Sequence, residues 1–124
     1  MTDARGMEPI YELQADVLKT LANPRRLEIV HLLAAEPMTV GRMVEELGIA
    51  QPNVSQHLAL MRSAGVVEAE RDGREIRYRL ADPDIIVACG LMRKALQRRL
   101  ARLARISDQA ATANPPVVTT TATR

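Results

Sequence analysis

A short segment near the middle of the chain combines an apolar line with a cluster of amide and hydroxyl side chains. Val54, Leu58 and Met61 are spaced four and three residues apart, so at about 100° per residue they share one side of a helix. Pro52 suits the first turn of such a helix and Gly65 suits its end. The polar side chains near its start are Gln51, Asn53, Ser55 and Gln56. Because amides can bond bidentately to the edge of adenine, this helix is predicted to read bases through its exposed side.

His57 adds an imidazole to the same segment. It falls toward the Val54 side of the helix, which favours packing or a phosphate contact over base reading. Base reading stays open, and we place His57 with the DNA-contacting residues. Ser55 and His57 point in different directions on one helix, and no set of acids, thiols or histidines has the spacing of a catalytic site. We therefore expect no enzymatic activity.

A second, shorter helix is predicted directly before this segment. Thr39 can cap its start and Gly48 can end it. Two helices joined by the short link Gly48-Ile49-Ala50 form a helix-turn-helix, in which the second helix enters the major groove of DNA. The helix over residues 51–64 is therefore the predicted recognition helix.

The pattern after Gly65 changes from a helical period to an alternating one. Residues 66–71 favour a strand, Asp72-Gly73 is a short hairpin turn signal, and residues 75–80 alternate charged with apolar side chains. A hairpin placed after a helix-turn-helix gives a winged helix. Four arginines of this wing can reach phosphates, namely Arg71, Arg74, Arg77 and Arg79, and of these Arg71, Arg74 and Arg77 are predicted to contact them. Acidic side chains in the same hairpin dilute its positive charge.

Three further helices complete a mainly α fold with a small β-hairpin. The first begins at Glu8 or Pro9 and ends at Leu21, and the second covers residues 24–35 after the cap Asn23. The last opens at Asp82-Pro83-Asp84, which repeats the same starting signal, and reaches roughly Ile106. The predicted fold class is a winged helix-turn-helix of five helices plus a wing.

The last helix carries an apolar stripe that a small winged domain cannot cover. Its members are Ile85, Cys89, Met92, Leu96, Leu100 and Leu103, each three or four residues from the next. At about 1.5 Å per residue, a helix of about 22 residues spans about 33 Å. The stripe is therefore predicted to pack against a second copy of the chain.

The length and composition of the chain indicate a single small domain. The chain has 124 residues and a formal charge of +2. We expect one domain over residues 8–106, between a disordered start at residues 1–7 and a disordered tail at residues 107–124. No apolar run approaches the roughly 20 residues that cross a bilayer, and no signal-peptide core is present, so we expect a cytoplasmic protein without a membrane partner. With two tyrosines and no tryptophan or phenylalanine, a platform that stacks single-stranded bases is nearly excluded.

Three stretches of the sequence resemble the ArsR/SmtB family of bacterial winged-helix repressors. They are LANPRRLEIVHLL at residues 21–33, similar to that family's second helix, QPNVSQHL at residues 51–58, similar to its recognition helix, and RSAGVV with RDGREIRYRL at residues 62–67 and 71–80, similar to its wing. The likeness covers about residues 10–105. It implies a homodimer on a partly palindromic double-stranded DNA operator, released by a metal, an oxidant or another small effector. The family's dimer is joined by its first and last helices, which adds Leu13 and Val17 to the predicted interface.

The positions that hold metal in many members of that family carry other residues here. Aligned on Leu47-Gly48, the two cysteine positions of the third helix fall on Thr39 and Gly41. The positions on the last helix fall on Asp84, Ile86, Gln97 and Leu100. Isoleucine and leucine offer no lone pair to a metal. We therefore expect no metal site of either kind and no cofactor.

The sequence predicts a DNA-binding transcriptional regulator that acts as a repressor, and two alternatives stay open. The first is a winged helix that binds proteins without DNA, which the amide-rich helix and the arginine-rich wing disfavour. The second is a repressor that responds through Cys89, the only cysteine. A thiol on an apolar stripe usually acts as a small hydrophobe, whereas two Cys89 side chains that met near a dimer axis would join under oxidation.

Overall fold

The computed structural model describes residues 9–113 and contains five helices and three strands in that part of the chain. The elements are α1 Pro9–Leu21, α2 Pro24–Ala35, β1 Met38–Thr39, α3 Val40–Leu47, α4 Gln51–Ser63, β2 Val67–Asp72, β3 Glu75–Leu80 and α5 Pro83–Ala113. The predicted winged helix-turn-helix of five helices is confirmed. The predicted disorder at residues 1–7 and 114–124 lies outside the described residues.

The starts of α2 and α3 follow the predicted capping chemistry. The Asn23 side chain accepts hydrogen bonds from the backbone N–H groups of Arg25 and Arg26, at 2.9 and 3.2 Å. The Thr39 hydroxyl accepts one from the Arg42 N–H at 3.2 Å. Gly48 ends α3 in the left-handed region, with φ 68°, where a Cβ would be strained. These local interactions fix where α2 and α3 begin and where α3 ends.

The wing is the larger part of a three-stranded antiparallel sheet with the order β1-β3-β2. Gly73, with φ 67°, lies in the tight turn between β2 and β3. The sequence did not predict β1, in which Met38 pairs with Tyr78 and Thr39 with Arg77. Two residues are too few to show an alternating pattern, and their partner strand lies far along the chain. Through β1, the wing is joined directly to the start of α3.

Among residues 9–113, the buried core is formed by apolar side chains between Leu21 and Val67. The buried apolar side chains are Leu21, Ile29, Val30, Leu33, Met38, Met43, Val54, Leu58, Met61, Val66 and Val67. The predicted apolar line of α4, Val54, Leu58 and Met61, is entirely buried. Helix α4 packs against α1, α2, α3 and β2, so it is held along one side.

The chain divides into two compact units, a first unit that ends at Val87, called the winged unit below, and a second unit that begins at Ala88. Helix α5 continues to Ala113, so the predicted helix end near Ile106 and the predicted start of disorder at residue 107 are wrong. Ser107 and Asp108 do not stop a helix, and the alanines that follow have the highest helix propensity. Within residues 9–113, no helix has the length and hydropathy of a membrane span.

Candidate nucleic-acid interface

The exposed side of α4 carries the predicted base-reading residues. Gln51, Asn53, Ser55 and Gln56 are all exposed, whereas His57 is half-buried. Among the described residues, no hydrogen bond engages the amide of Gln51, Asn53 or Gln56. These side chains are therefore free to bond to another molecule.

The face of α4 opposite its buried line is centred on Gln56. Pro52, Gln56, Ala59 and Ser63 are exposed and spaced four, three and four residues apart, and at about 100° per residue they lie roughly opposite the buried line. Ala59 and Ser63 belong to this face but were not predicted as site residues. The same helical spacing that identified the buried line could have identified them, because the residues on one side of a helix determine which residues lie on the opposite side.

The start of α4 differs from the starts of α2 and α3. Its cap position is Ala50, which has no side-chain acceptor. Pro52 has no N–H, and the N–H groups of Asn53 and Val54 both donate to the Ala50 carbonyl, at 3.0 and 3.2 Å. The positive end of the helix dipole is therefore not covered by a capping side chain, which favours an anion close to it.

His57 faces the interior rather than the exposed face of α4. Its Nδ1 accepts a hydrogen bond from Nε of Arg26 on α2, at 3.1 Å. Burial, followed by the charges of Arg26 and Arg25, lowers the pKa of the His57 imidazole below its ordinary value. Sequence reasoning missed this role of Arg26 because the two residues lie far apart in the chain and no local pattern links them.

One face of the wing carries ion pairs between its own strands. The strand register places Glu68, Glu70 and Asp72 opposite Arg79, Arg77 and Glu75, so this face holds four acids and two arginines. Arg79 pairs with Glu68 at 3.1 Å and with Glu70 at 2.8 Å. The hydrogen bonds to Glu68 and Glu70 raise the pKa of the Arg79 guanidinium above its ordinary value.

The three arginines predicted to contact phosphates do not share one environment. Arg77 lies 3.4 Å from an oxygen of Asp72 and 3.1 Å from an oxygen of Glu75. Arg71 and Arg74 are exposed, and neither is in an ion pair with a carboxylate of residues 9–113. Arg71 and Arg74 can therefore approach an external anion without first giving up an internal partner.

The residues predicted to join two copies of the chain lie on α1 and α5. Leu13, Met92 and Leu96 are exposed, at 60%, 57% and 50% of their surface. Val17, Ile85 and Cys89 are half-buried. Within the described part of the chain, no three acidic, histidine or cysteine side chains converge to form a metal site.

Residues 23–69 match the model of the arsR family of bacterial regulatory proteins. The chain is also 42% identical over 103 residues to Rv0081, an uncharacterised HTH-type transcriptional regulator of Mycobacterium tuberculosis, and the match covers 82% of this chain and 90% of that protein. The chain belongs to the ArsR family. The resemblance inferred from the sequence motifs is thereby confirmed.

Solved structures of ArsR-type regulators have the same fold. The crystal structure of M. tuberculosis Rv0081 matches with a TM-score of 0.70 and 40% identity, covering 79% of this chain and 99% of that one. The solution structure of the homodimeric winged helix-turn-helix domain of Mb0332 from Mycobacterium bovis matches with a TM-score of 0.74 and 30% identity, covering 82% and 93%. The repressor BigR from Xylella fastidiosa matches with a TM-score of 0.63 and 34% identity, covering 73% and 92%. This ArsR-family chain is thus a transcriptional regulator with a winged helix-turn-helix DNA-binding domain.

Proposed function

We propose that this ArsR-family regulator is a repressor that binds a partly palindromic operator as a homodimer. Helix α4 enters the major groove and the hairpin of β2 and β3 lies over the sugar-phosphate backbone. The observation that carries the proposal is that the exposed amides Gln51, Asn53 and Gln56 lie in the first two turns of α4, a helix whose apolar line Val54, Leu58 and Met61 is fully buried. A helix fixed along one side presents the other side in a defined orientation, which base readout requires.

The proposed dimer rests on the exposed apolar side chains of α1 and α5. A two-fold dimer places two copies of α4 about one helical turn of DNA apart, and the operator then repeats with the same symmetry. The solved domain of Mb0332 is a homodimer. The biofilm growth-associated repressor of X. fastidiosa, 41% identical over 68 residues, supports the assignment as a repressor.

Regulation by a small effector completes the proposal, and we propose that the effector is not a metal. Thr39 and Gly41 stand where the family's third-helix cysteines would be, and neither supplies a thiolate. The effector itself is unidentified. A regulator that binds a bacterial chromosome works in the cytoplasm, where we place this protein.

The assignment of α4 is tested with the changes Asn53→Ala and Gln56→Ala. The operator is first selected from fragments of the host genome bound by the parent protein. Loss of either amide should then weaken operator binding by about 1 to 3 kcal/mol and leave binding to random duplex nearly unchanged. Affinities for both DNAs are measured by fluorescence anisotropy at one salt concentration, because salt alone changes them.

Gln109→Ala is the matched control, since it removes an exposed amide from α5 without touching the proposed reading face. It should bind both DNAs as the parent does. Equal losses on operator and random duplex would make Asn53 and Gln56 backbone contacts rather than readers. A parent protein that binds no duplex at any salt concentration would favour the alternative, a winged helix that binds proteins.

A further inference from the structure

The side chain of Arg26, on α2, donates hydrogen bonds to both α1 and α4. Its Nη1 donates to the backbone carbonyl of Thr20 near the end of α1, at 3.0 Å. Its Nε donates to Nδ1 of His57 in the middle of α4, at 3.1 Å. Its own backbone N–H donates to the capping side chain of Asn23 at 3.2 Å, so the backbone of Arg26 lies in the capped first turn of α2.

We propose that Arg26 and His57 form a clamp that fixes the orientation of α4, and that His57 is a positioning residue rather than a DNA contact. This inference rests on the proposed role of α4 as the recognition helix. The planar guanidinium can donate in two directions at fixed angles, which a lysine cannot do. The apolar contacts of α4 hold its flank against the core, while the clamp sets its rotation and its position along its axis.

The clamp needs a neutral imidazole. Nδ1 can accept from Arg26 only when it carries no proton, so the ring proton of the neutral form lies on Nε2. A protonated ring has no acceptor, and it would place a second positive charge against the guanidinium. Among the described residues, the charged groups that act on His57 are Arg26 and Arg25 of α2, and Arg25 is itself paired with Glu28 at 3.0 Å.

Operator binding should therefore weaken in mild acid. The pKa of His57 lies below its ordinary value of 6.5, so the unfolded chain takes up a proton at a higher pH than the folded chain does. The contribution of the clamp to stability is complete above pH 6.5 and is lost as the pH falls through the lowered pKa. Protonation of His57 releases Arg26 and loosens α4 before the winged unit unfolds.

The first test compares three changes at or near this site. His57→Asn places an amide oxygen close to the position of Nδ1 and cannot titrate, whereas His57→Phe keeps a ring without an acceptor. His31→Phe is the matched control, because His31 is the other histidine of the chain and is exposed. Affinity for the selected operator is measured at about pH 7.5, above the ordinary histidine pKa, and at a lower pH chosen below the His57 pKa that NMR titration of the folded parent gives.

We expect His57→Phe to bind the operator about tenfold more weakly at the higher pH, the scale of one lost hydrogen bond. His57→Asn should match the parent at the higher pH and keep that affinity at the lower pH, where the parent loses it. His31→Phe should follow the parent throughout. If His57→Phe binds as the parent does, or if His57→Asn is as weak as His57→Phe, the clamp is overturned.

The second test works on the free protein and does not depend on α4 being the recognition helix. The imidazole of His57 is titrated by NMR in the parent and in Arg26→Gln, with circular dichroism confirming that each variant is folded. Loss of Arg26 should raise the pKa of His57 toward its ordinary value, and an unchanged titration would overturn the clamp. A different result would refute the proposed role of α4 instead of the clamp. In that case Arg26→Gln raises the pKa of His57 as expected, but Asn53→Ala and Gln56→Ala bind the operator as tightly as the parent does.

A double-mutant cycle separates the clamp from two independent structural effects. If Arg26 and His57 act through one hydrogen bond, Arg26→Gln combined with His57→Phe should weaken operator binding no more than the worse single change. Losses that simply add would show that the two residues act separately, against the proposal.

Discussion

The two compact units of this regulator are stabilised in different ways. All the buried apolar side chains of residues 9–113 lie between Leu21 and Val67, in the winged unit. Residues 91–112 of α5 are exposed throughout, although that stretch carries leucines at helical spacing. The winged unit is thus held together by packing within one chain, whereas we propose that the apolar stripe of α5 is buried against a second copy of the chain. Changes in the first unit should test folding, and changes in the second should test association.

The largest effect is expected from Leu58→Ala in the winged unit. Leu58 is fully buried on α4, so its truncation should lower the free energy of unfolding by about 2 to 5 kcal/mol. Leu100→Ala makes the same chemical change at a side chain that is 66% exposed. Its effect should be much smaller and should shrink as the protein is diluted, because it removes a contact between copies. Urea denaturation at several protein concentrations measures both, and equal losses would abolish the contrast between the units.

The next effect concerns the assembly of two copies. Leu96→Glu places a charge in the apolar stripe of α5 and should give monomers that bind the operator about a hundredfold more weakly, because the two half-sites are no longer linked. Leu91→Glu is the matched control, since Leu91 is also exposed but lies away from that stripe at about 100° per residue. Analytical ultracentrifugation should find a dimer for Leu91→Glu and a monomer for Leu96→Glu. A Leu96→Glu protein that still sediments as a dimer would move the interface elsewhere.

The smallest effect is expected in the wing, where arginines with internal partners can be compared with those that have none. Arg74→Ala should weaken binding to all duplexes alike and lower the salt slope by about one unit. Arg79→Ala should not lower the slope, because Arg79 is already paired with Glu68 and Glu70. The slope is measured from operator affinity over a series of salt concentrations. A fall of equal size in both variants would show that the pairs of Arg79 open when DNA binds.

Local signals in the sequence were sufficient to predict most of the fold. Asn23 and Thr39 cap α2 and α3, Gly48 ends α3, and Gly73 lies in the hairpin turn. Each of these residues acts on backbone groups only a few positions away, so the sequence contains the whole interaction. The exposed position of Gln56 followed from helical spacing for the same reason. Which residues contact DNA or join the two copies stays a prediction.

The features that the sequence did not predict depend on residues distant in the chain. Met38 and Thr39 become a strand only because β3 lies beside them. Arg79 meets both Glu68 and Glu70 through the register of the hairpin. The bond from Arg26 to His57 requires the packing of α2 on α4. None of these contacts produces a periodic pattern, so they become visible only when the chain is folded.

Thr39 takes part in two contacts that we expect to form at different times as the chain folds. Its side chain caps α3 early and locally, but its backbone pairs with Arg77 of β3, with the whole helix-turn-helix and half of the hairpin between the two residues. Closing so long a loop costs chain entropy before the pairing returns any free energy, which delays such contacts during folding. We expect β1 to join the sheet last as the chain folds. Its short ladder should also be the first to open in the native protein, and the amide hydrogens there should exchange sooner than those in the middle of α4.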